Sequence, residues 1–173
     1  MIILDKNKFE QFYDLLEKSF PPDERRNFIK QKQLLDNNKY TVYARFENEN
    51  LLGFLSTWKL GLFSYIEHFA VSPDFRNRGL GGKMLQETIG IVGSDLFLEV
   101  EPPESDITKR RIAFYERNGF VLNDFPYVQP AYGKDRRPLS LMIMTYKKSV
   151  TQSEFENTKR ILYKEVYNAA ESI

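Results

Sequence analysis

Three of the chain's nine glycines fall within four positions, in the stretch Arg76-Asn77-Arg78-Gly79-Leu80-Gly81-Gly82-Lys83. Ahead of it, Ser64 to Val71 reads SYIEHFAV, a run of β-formers stopped by Ser72-Pro73-Asp74. Behind it, Met84, Leu85, Thr88 and Ile89 share one helical face, which predicts a helix from Gly81 or Gly82 to about Gly90. Leu96 to Val100, LFLEV, then reads as a strand covered on both faces. A strand, a glycine turn, a helix and a strand in that order commit the chain to an α/β arrangement. The turn is suited to an anion. Glycine reaches φ > 0 and lets a ligand approach the backbone without meeting a Cβ. The first N–H groups of the following helix lack partners and carry partial positive charge, a match for a pyrophosphate. Arg76, Arg78 and Lys83 add formal charge.

Two phosphate sites are excluded by spacing. The dinucleotide fingerprint needs G-x-G-x-x-G and the P-loop needs G-x-x-x-x-G-K-[ST], and the stretch has neither. Other chemistry is excluded by composition. No cysteine means no disulfide, no thiolate metal site and no cysteine nucleophile, and a single histidine, His68, argues against a His-rich metal centre. With 25 Lys+Arg against 24 Asp+Glu the net charge is +1, which speaks against a dedicated nucleic-acid binder. No stretch has the length of a membrane span, and Ile2-Ile3-Leu4 is too short for a signal segment. The expectation is a soluble, cytoplasmic chain with no membrane and no nucleic-acid partner.

The remaining pattern fills one domain. Phe9, Phe12, Leu16 and Phe20 recur at helical spacing after a short Ile2–Leu4 strand, and a second helix follows Pro21-Pro22. Tyr40 to Phe46 and Leu51 to Trp58 flank the polar turn Glu47-Asn48-Glu49-Asn50 as a hairpin. Thr108 to Arg117 reads as a helix stopped by Gly119, Phe120 to Leu122 as the start of a strand, and Ser140 to Tyr146 as the last strand, with Asp124 to Arg137 as a loop between them. Thr151 and Glu154 have capping-box spacing and open a final helix to about Ala169.

The glycine turn contains R-x-x-G-x-G at Arg76, Gly79 and Gly81, and further on stands Arg111-Ile112-Ala113-Phe114-Tyr115-Glu116-Arg117-Asn118-Gly119-Phe120. The first resembles the acyl-CoA pyrophosphate motif of the GNAT superfamily of N-acyltransferases, and the second resembles that family's A-x-x-Y-x-x-x-G-F segment. The element order from about residue 1 to 147 agrees. Thr108 stands where many members carry Asn, and Arg111 where a small residue is usual. The resemblance implies an α/β (α+β) fold with a mixed, mostly antiparallel central sheet flanked by helices, over residues 1–148, and a C-terminal helical extension over 149–173. It implies acetyl transfer from acetyl-CoA to a primary amine, small-molecule or peptide, by direct attack in a ternary complex, with no metal.

The same resemblance assigns the site. Backbone of Phe69, Ala70 and Val71 would pair with the pantetheine arm, and Arg76, Asn77, Arg78, Gly79, Leu80, Gly81 and Gly82 would hold the pyrophosphate. Tyr115 would protonate the leaving sulfur, a phenol of pKa about 10 facing a thiol of about 8.5. Glu67 is the expected base and Glu101 its competitor. Period-two alternation puts Glu67 on one strand face with Phe69 and Val71, and His68 on the other. Two rivals stay open: an acyl-CoA-binding sensor without chemistry, and a protein using the turn for another nucleotide. The acceptor would lie between Phe20 to Arg26 and Tyr127 to Arg137. Aromatics and acids there suit a cationic amine, while Arg25, Arg26, Arg136 and Arg137 suit an anionic group. The tail would pack on its own domain or on a second subunit, so a homodimer stays open.

Overall fold

The computed structural model describes residues 1–93 and 95–169. Residues 170–173 of the expected C-terminal extension lie outside the described residues. Seven strands, β1 (Ile2–Ile3), β2 (Tyr40–Glu47), β3 (Asn50–Lys59), β4 (Ser64–Val71), β5 (Leu96–Val100), β6 (Phe120–Gln129) and β7 (Leu139–Tyr146), form one sheet. Its order is β1-β2-β3-β4-β5-β7-β6. Every neighbouring pair is antiparallel except β4 and β5, which run parallel and enclose the crossover helix. This is the mixed, mostly antiparallel sheet that the sequence predicts.

Five helices cover the two faces: α1 (Phe9–Ser19), α2 (Phe28–Leu34), α3 (Leu80–Val92), α4 (Asp106–Arg117) and α5 (Gln152–Glu165). Their ends are marked locally. The Asn27 side chain accepts from Lys30 N to start α2, and Ser105–Thr108 and Thr151–Glu154 form capping boxes that start α4 and α5. Gly93 (φ +95°) and Gly119 (φ +91°) end α3 and α4.

Adjacent residues of β3 show how the sheet divides the interior. Phe54 joins Phe12, Leu16, Tyr65 and α5's Phe155 and Leu162 on one face; Leu55 joins Met84, Leu85, Ile112 and Tyr115 of α3 and α4 on the other. Helix α5 therefore belongs to the main core. Each fully buried Phe or Leu is worth about 1.5–3 kcal/mol, so Phe155 and Leu162 tie the helix to the rest of the domain.

Two expectations fail in instructive ways. The stretch expected as a loop from Asp124 is strand as far as Gln129, and the loop proper spans 130–138. Asp124 and Pro126 read as turn formers, but they fall at a register shift between Asn123 and Tyr127, where an unpaired residue and a missing N–H are tolerated. The strand is held inward by Asn123, Tyr127 and Gln129, polar side chains with buried partners. The second failure lies in β4. Ser56 pairs with His68 and Thr57 with Ile66, so Glu67 is an extra, bulged residue.

Candidate active site

The bulge changes which way Glu67 faces. Alternation expects Glu67 with Phe69 and Val71, opposite His68. Instead Glu67 and His68 both meet Tyr132 on the α1 and α5 side, while Phe69 and Val71 pack on the α3 side. Glu67 Oε1 accepts from Arg26 Nη1 at 2.6 Å and from the Tyr132 hydroxyl at 3.1 Å. Both side chains of this ion pair are almost wholly buried. Burial pushes the Glu67 carboxyl up, but the Arg26 charge, with help from His68, outweighs it and holds the group at about 2. Its Oε2 receives no hydrogen bond among the described residues.

His68 is enclosed. Its Nε2 donates to the Glu24 carbonyl at 2.8 Å, since a carbonyl can only accept, and its Nδ1 faces Ser56 Oγ at 3.4 Å. The ring packs edge-on against Phe20 and stacks near Tyr132. These contacts give it a structural task.

Strands β4 and β5 are paired only at Ser64–Leu96, Tyr65–Phe97 and Ile66–Leu98. Beyond those three pairs they part, and the β5-facing backbone of β4 from Glu67 to Val71 has no strand partner. A cleft of about 690 Å³ opens there, running from Glu24, Glu67 and Tyr132 past Phe69–Val71 to the glycine turn. At that end Gly79 adopts φ +73° and caps α3, a conformation that requires glycine. Gly81 and Gly82 are under no such demand. A Cβ on either would come no closer than 3.5 Å to the rest of the protein. Both positions thus have room for a side chain that they do not carry. Arg76 turns back to donate to the Val71 carbonyl at 2.9 Å, and Arg78 lies over the Phe75 ring. Arg76, Asn77, Gly79, Leu80 and Gly81 all line the cleft.

Tyr115 projects from α4 into the same cleft. Burial pushes its hydroxyl up to about 12, with Arg111 one turn earlier pulling slightly the other way. Among the described residues that hydroxyl makes no hydrogen bond. Thr108, the position where Asn is common, spends its hydroxyl on Ser105 in the α4 cap. Arg111 pairs with Glu101 at the rim, so Glu101 is engaged as well.

One residue of the cleft escapes the sequence reading. Glu99 of β5 is buried and lines the cleft, accepting from Tyr127, from Gln129 Nε2 at 2.5 Å and from the Tyr167 hydroxyl at 2.9 Å. Burial raises its pKa against those hydrogen bonds. The only signal in the sequence is a carboxylate inside the otherwise apolar run LFLEV.

The four arginines named for the acceptor end all have partners. Arg25 is engaged by Glu17, Tyr13 and the Phe20 carbonyl, Arg26 by Glu67, Arg136 by Asp135 and Arg137 by Asp23. The cleft wall there presents Glu24, Glu67 and Glu99. Among the described residues no group of three or more His, Asp or Glu is placed to hold a metal ion, and no helix is long and apolar enough to cross a membrane.

The family model described as the acetyltransferase (GNAT) family matches residues 9–120. YjbC of Bacillus subtilis (strain 168), provisionally named an acetyltransferase, is 29% identical over 111 residues, 63% of this chain and 56% of that protein. The chain thus matches little more than half the length of that curated relative. A solved structure from Bacteroides thetaiotaomicron, provisionally assigned as a GNAT-family acetyltransferase, superposes with a TM-score of 0.89 at 29% identity, covering 98% of each chain. The ribosomal-protein-S18-alanine N-acetyltransferase from Escherichia coli has a TM-score of 0.63 at 21% identity over 87% of this chain and 95% of that one, a likeness of fold.

Proposed function

The chain belongs to the GNAT family of acetyltransferases, and we propose that it transfers an acetyl group from acetyl-CoA to a primary amine by direct attack, with both substrates in the cleft at once. The observation that carries this is the parting of β4 from β5, which opens onto the glycine turn at one end and onto buried carboxylates at the other. Residues 1–148 carry this fold in our reading, and 149–173 add a helix to it.

Acetyl-CoA supplies an acyl group activated as a thioester. The free amides at the start of α3, with Arg76 and Arg78 close by, hold its pyrophosphate, and the β5-facing edge of Phe69–Val71, which has no strand partner there, holds the arm. The carboxylates at the far end attract the amine in its cationic form. Glu67, paired with Arg26 and closed off from solvent, adds its charge to the field there. A carboxyl held at about 2 retains protons poorly, so the proton that leaves the amine goes to Glu99, whose pKa burial raises. The nitrogen bonds to the acyl carbon as the C–S bond breaks, the Tyr115 hydroxyl gives its proton to the departing sulfur, and the second proton released from the nitrogen restores the phenol. With no cysteine in the chain, no cysteinyl acyl-enzyme intervenes.

Thermal unfolding with acetyl-CoA, ATP or NAD tests the reading. A ligand of the folded state adds about 2.7 kcal/mol at a hundred times its Kd. A rise with acetyl-CoA alone is expected, followed by thiol release with primary amines. No rise at saturating acetyl-CoA would overturn the proposal.

A further inference from the structure

Two residues beyond the end of α5 touch both buried carboxylate systems. The Val166 carbonyl accepts from Arg26 Nη2 at 2.8 Å, the same guanidinium that holds Glu67. The Tyr167 hydroxyl lies 2.9 Å from Glu99 Oε2, 3.1 Å from its Oε1 and 3.0 Å from the Tyr65 hydroxyl. The Tyr167 ring packs against Tyr132, the other donor to Glu67, with centroids 5.2 Å apart. The segment is anchored by its own backbone: Val166 N and Tyr167 N both bond the Leu162 carbonyl, and Ala169 N bonds that of Tyr163. A carbonyl at a helix C-terminus carries partial negative charge, so Val166 suits a guanidinium.

The directions of the hydroxyl bonds follow from valence. An ionised carboxylate only accepts, and each phenol has one proton. Tyr167 therefore donates to Glu99, and Tyr65 donates to Tyr167. The chain of hydroxyls runs from β4 through the tail to β5. The segment lies well past residue 120, where the family match ends.

We propose that this segment completes the amine end of the cleft, with Tyr167 as a positioning residue that fixes the Glu99 carboxylate and sets how readily it takes a proton. The inference rests on the reading of Glu99 as part of the acceptor site. The groups that face Glu99 are Tyr65 from β4, Tyr127 and Gln129 from β6, Tyr132 from the following loop, Tyr163 from α5 and Tyr167 from the tail. Of these, Tyr127, Gln129 and Tyr167 bond the carboxylate directly, and the Tyr65 hydroxyl behind Tyr167 also favours its ionised form. Removing one donor from an ionised acceptor disfavours the ionised form.

The test follows Glu99 itself by carbon-13 NMR of protein labelled at the glutamate side-chain carboxyl, with Glu99→Gln identifying its resonance. Tyr167→Phe keeps the ring against Tyr132 and removes only the hydroxyl. The Glu99 titration midpoint is expected to rise by about one pH unit. Tyr65→Phe removes the donor behind Tyr167 and is expected to raise the midpoint as well, which keeps the test decisive if Tyr167→Phe fails to fold. An unmoved midpoint in whichever variants fold would overturn the proposal. Its failure is separable from that of the proposed function, because the midpoint needs neither acetyl-CoA nor an amine. If acetyl-CoA does not bind while the midpoint moves, the tail contact stands and the acetyl-transfer reading falls.

Discussion

Replacing Arg26 by Met removes the cation from a buried carboxylate while leaving an apolar chain to pack on Tyr132 and Trp58, the rings over which the guanidinium lies. The Arg26 charge holds the Glu67 carboxyl at about 2 in the fold against an ordinary 4.5, and at about 1.4 kcal/mol per pH unit that difference is worth about 3 kcal/mol. Because the folded pKa is depressed, this stability is fully present above about pH 5 and is lost as pH falls towards 2. In Arg26→Met the carboxylate is left buried and unpaired, so a loss of about 3–5 kcal/mol near pH 7 is expected, a large part of a domain's stability. The gap between the two proteins should then shrink in acid. There the wild type protonates Glu67 and loses its pair, while the variant gains from neutralising a stranded charge. Urea unfolding of both proteins at several pH values between about 7 and 3 measures this. A loss below about 1 kcal/mol at neutral pH, or a gap that does not narrow on acidification, would refute the argument that Arg26 is what keeps Glu67 ionised.

Gly81→Ala should separate folding from binding. Alanine is the better helix former by up to about 1 kcal/mol and its Cβ meets only ordinary contacts, so the variant should melt no lower while binding acetyl-CoA more weakly by calorimetry. Tyr115→Phe should lower turnover by about 10²–10⁴-fold with acetyl-CoA affinity kept, measured by thiol release beside calorimetry; unchanged turnover would remove Tyr115 from the chemistry.

What could be read ahead of the structure was whatever is local. The glycine turn, the caps at Thr151 and Glu154, the stop at Gly119 and the order of strands all follow from residues a few positions apart. What escaped depends on partners far along the chain. Glu67 faces away from its expected neighbours because one added residue in β4 breaks the alternation that the reading relied on. Glu99 looks like a flaw in an apolar strand until Tyr127, Gln129 and Tyr167 arrive from residues 28 to 68 positions away. The strand from Asp124 to Gln129 was hidden by Asp and Pro, whose turn preference yields to a bulge and to buried partners. Arg26 reads as a free cation since nothing in its own neighbourhood of sequence announces Glu67 or the Val166 carbonyl.

The three ladder pairs that join β4 to β5 also have a mechanical meaning. Among the described residues they are the only ladder pairs between a four-stranded half, β1 to β4, and a three-stranded half, β5 to β7. Such a sheet has a seam. On one face the Tyr65–Tyr167–Glu99 hydroxyls stitch it, and on the open length nothing in the backbone does. Loads and thermal fluctuations that part the halves should concentrate at Ser64–Ile66, so amide exchange there should report the opening of the whole molecule. Any ligand whose amides bridge the open length would lengthen the seam's stitching, and the protein would become stiffer as well as more stable when filled.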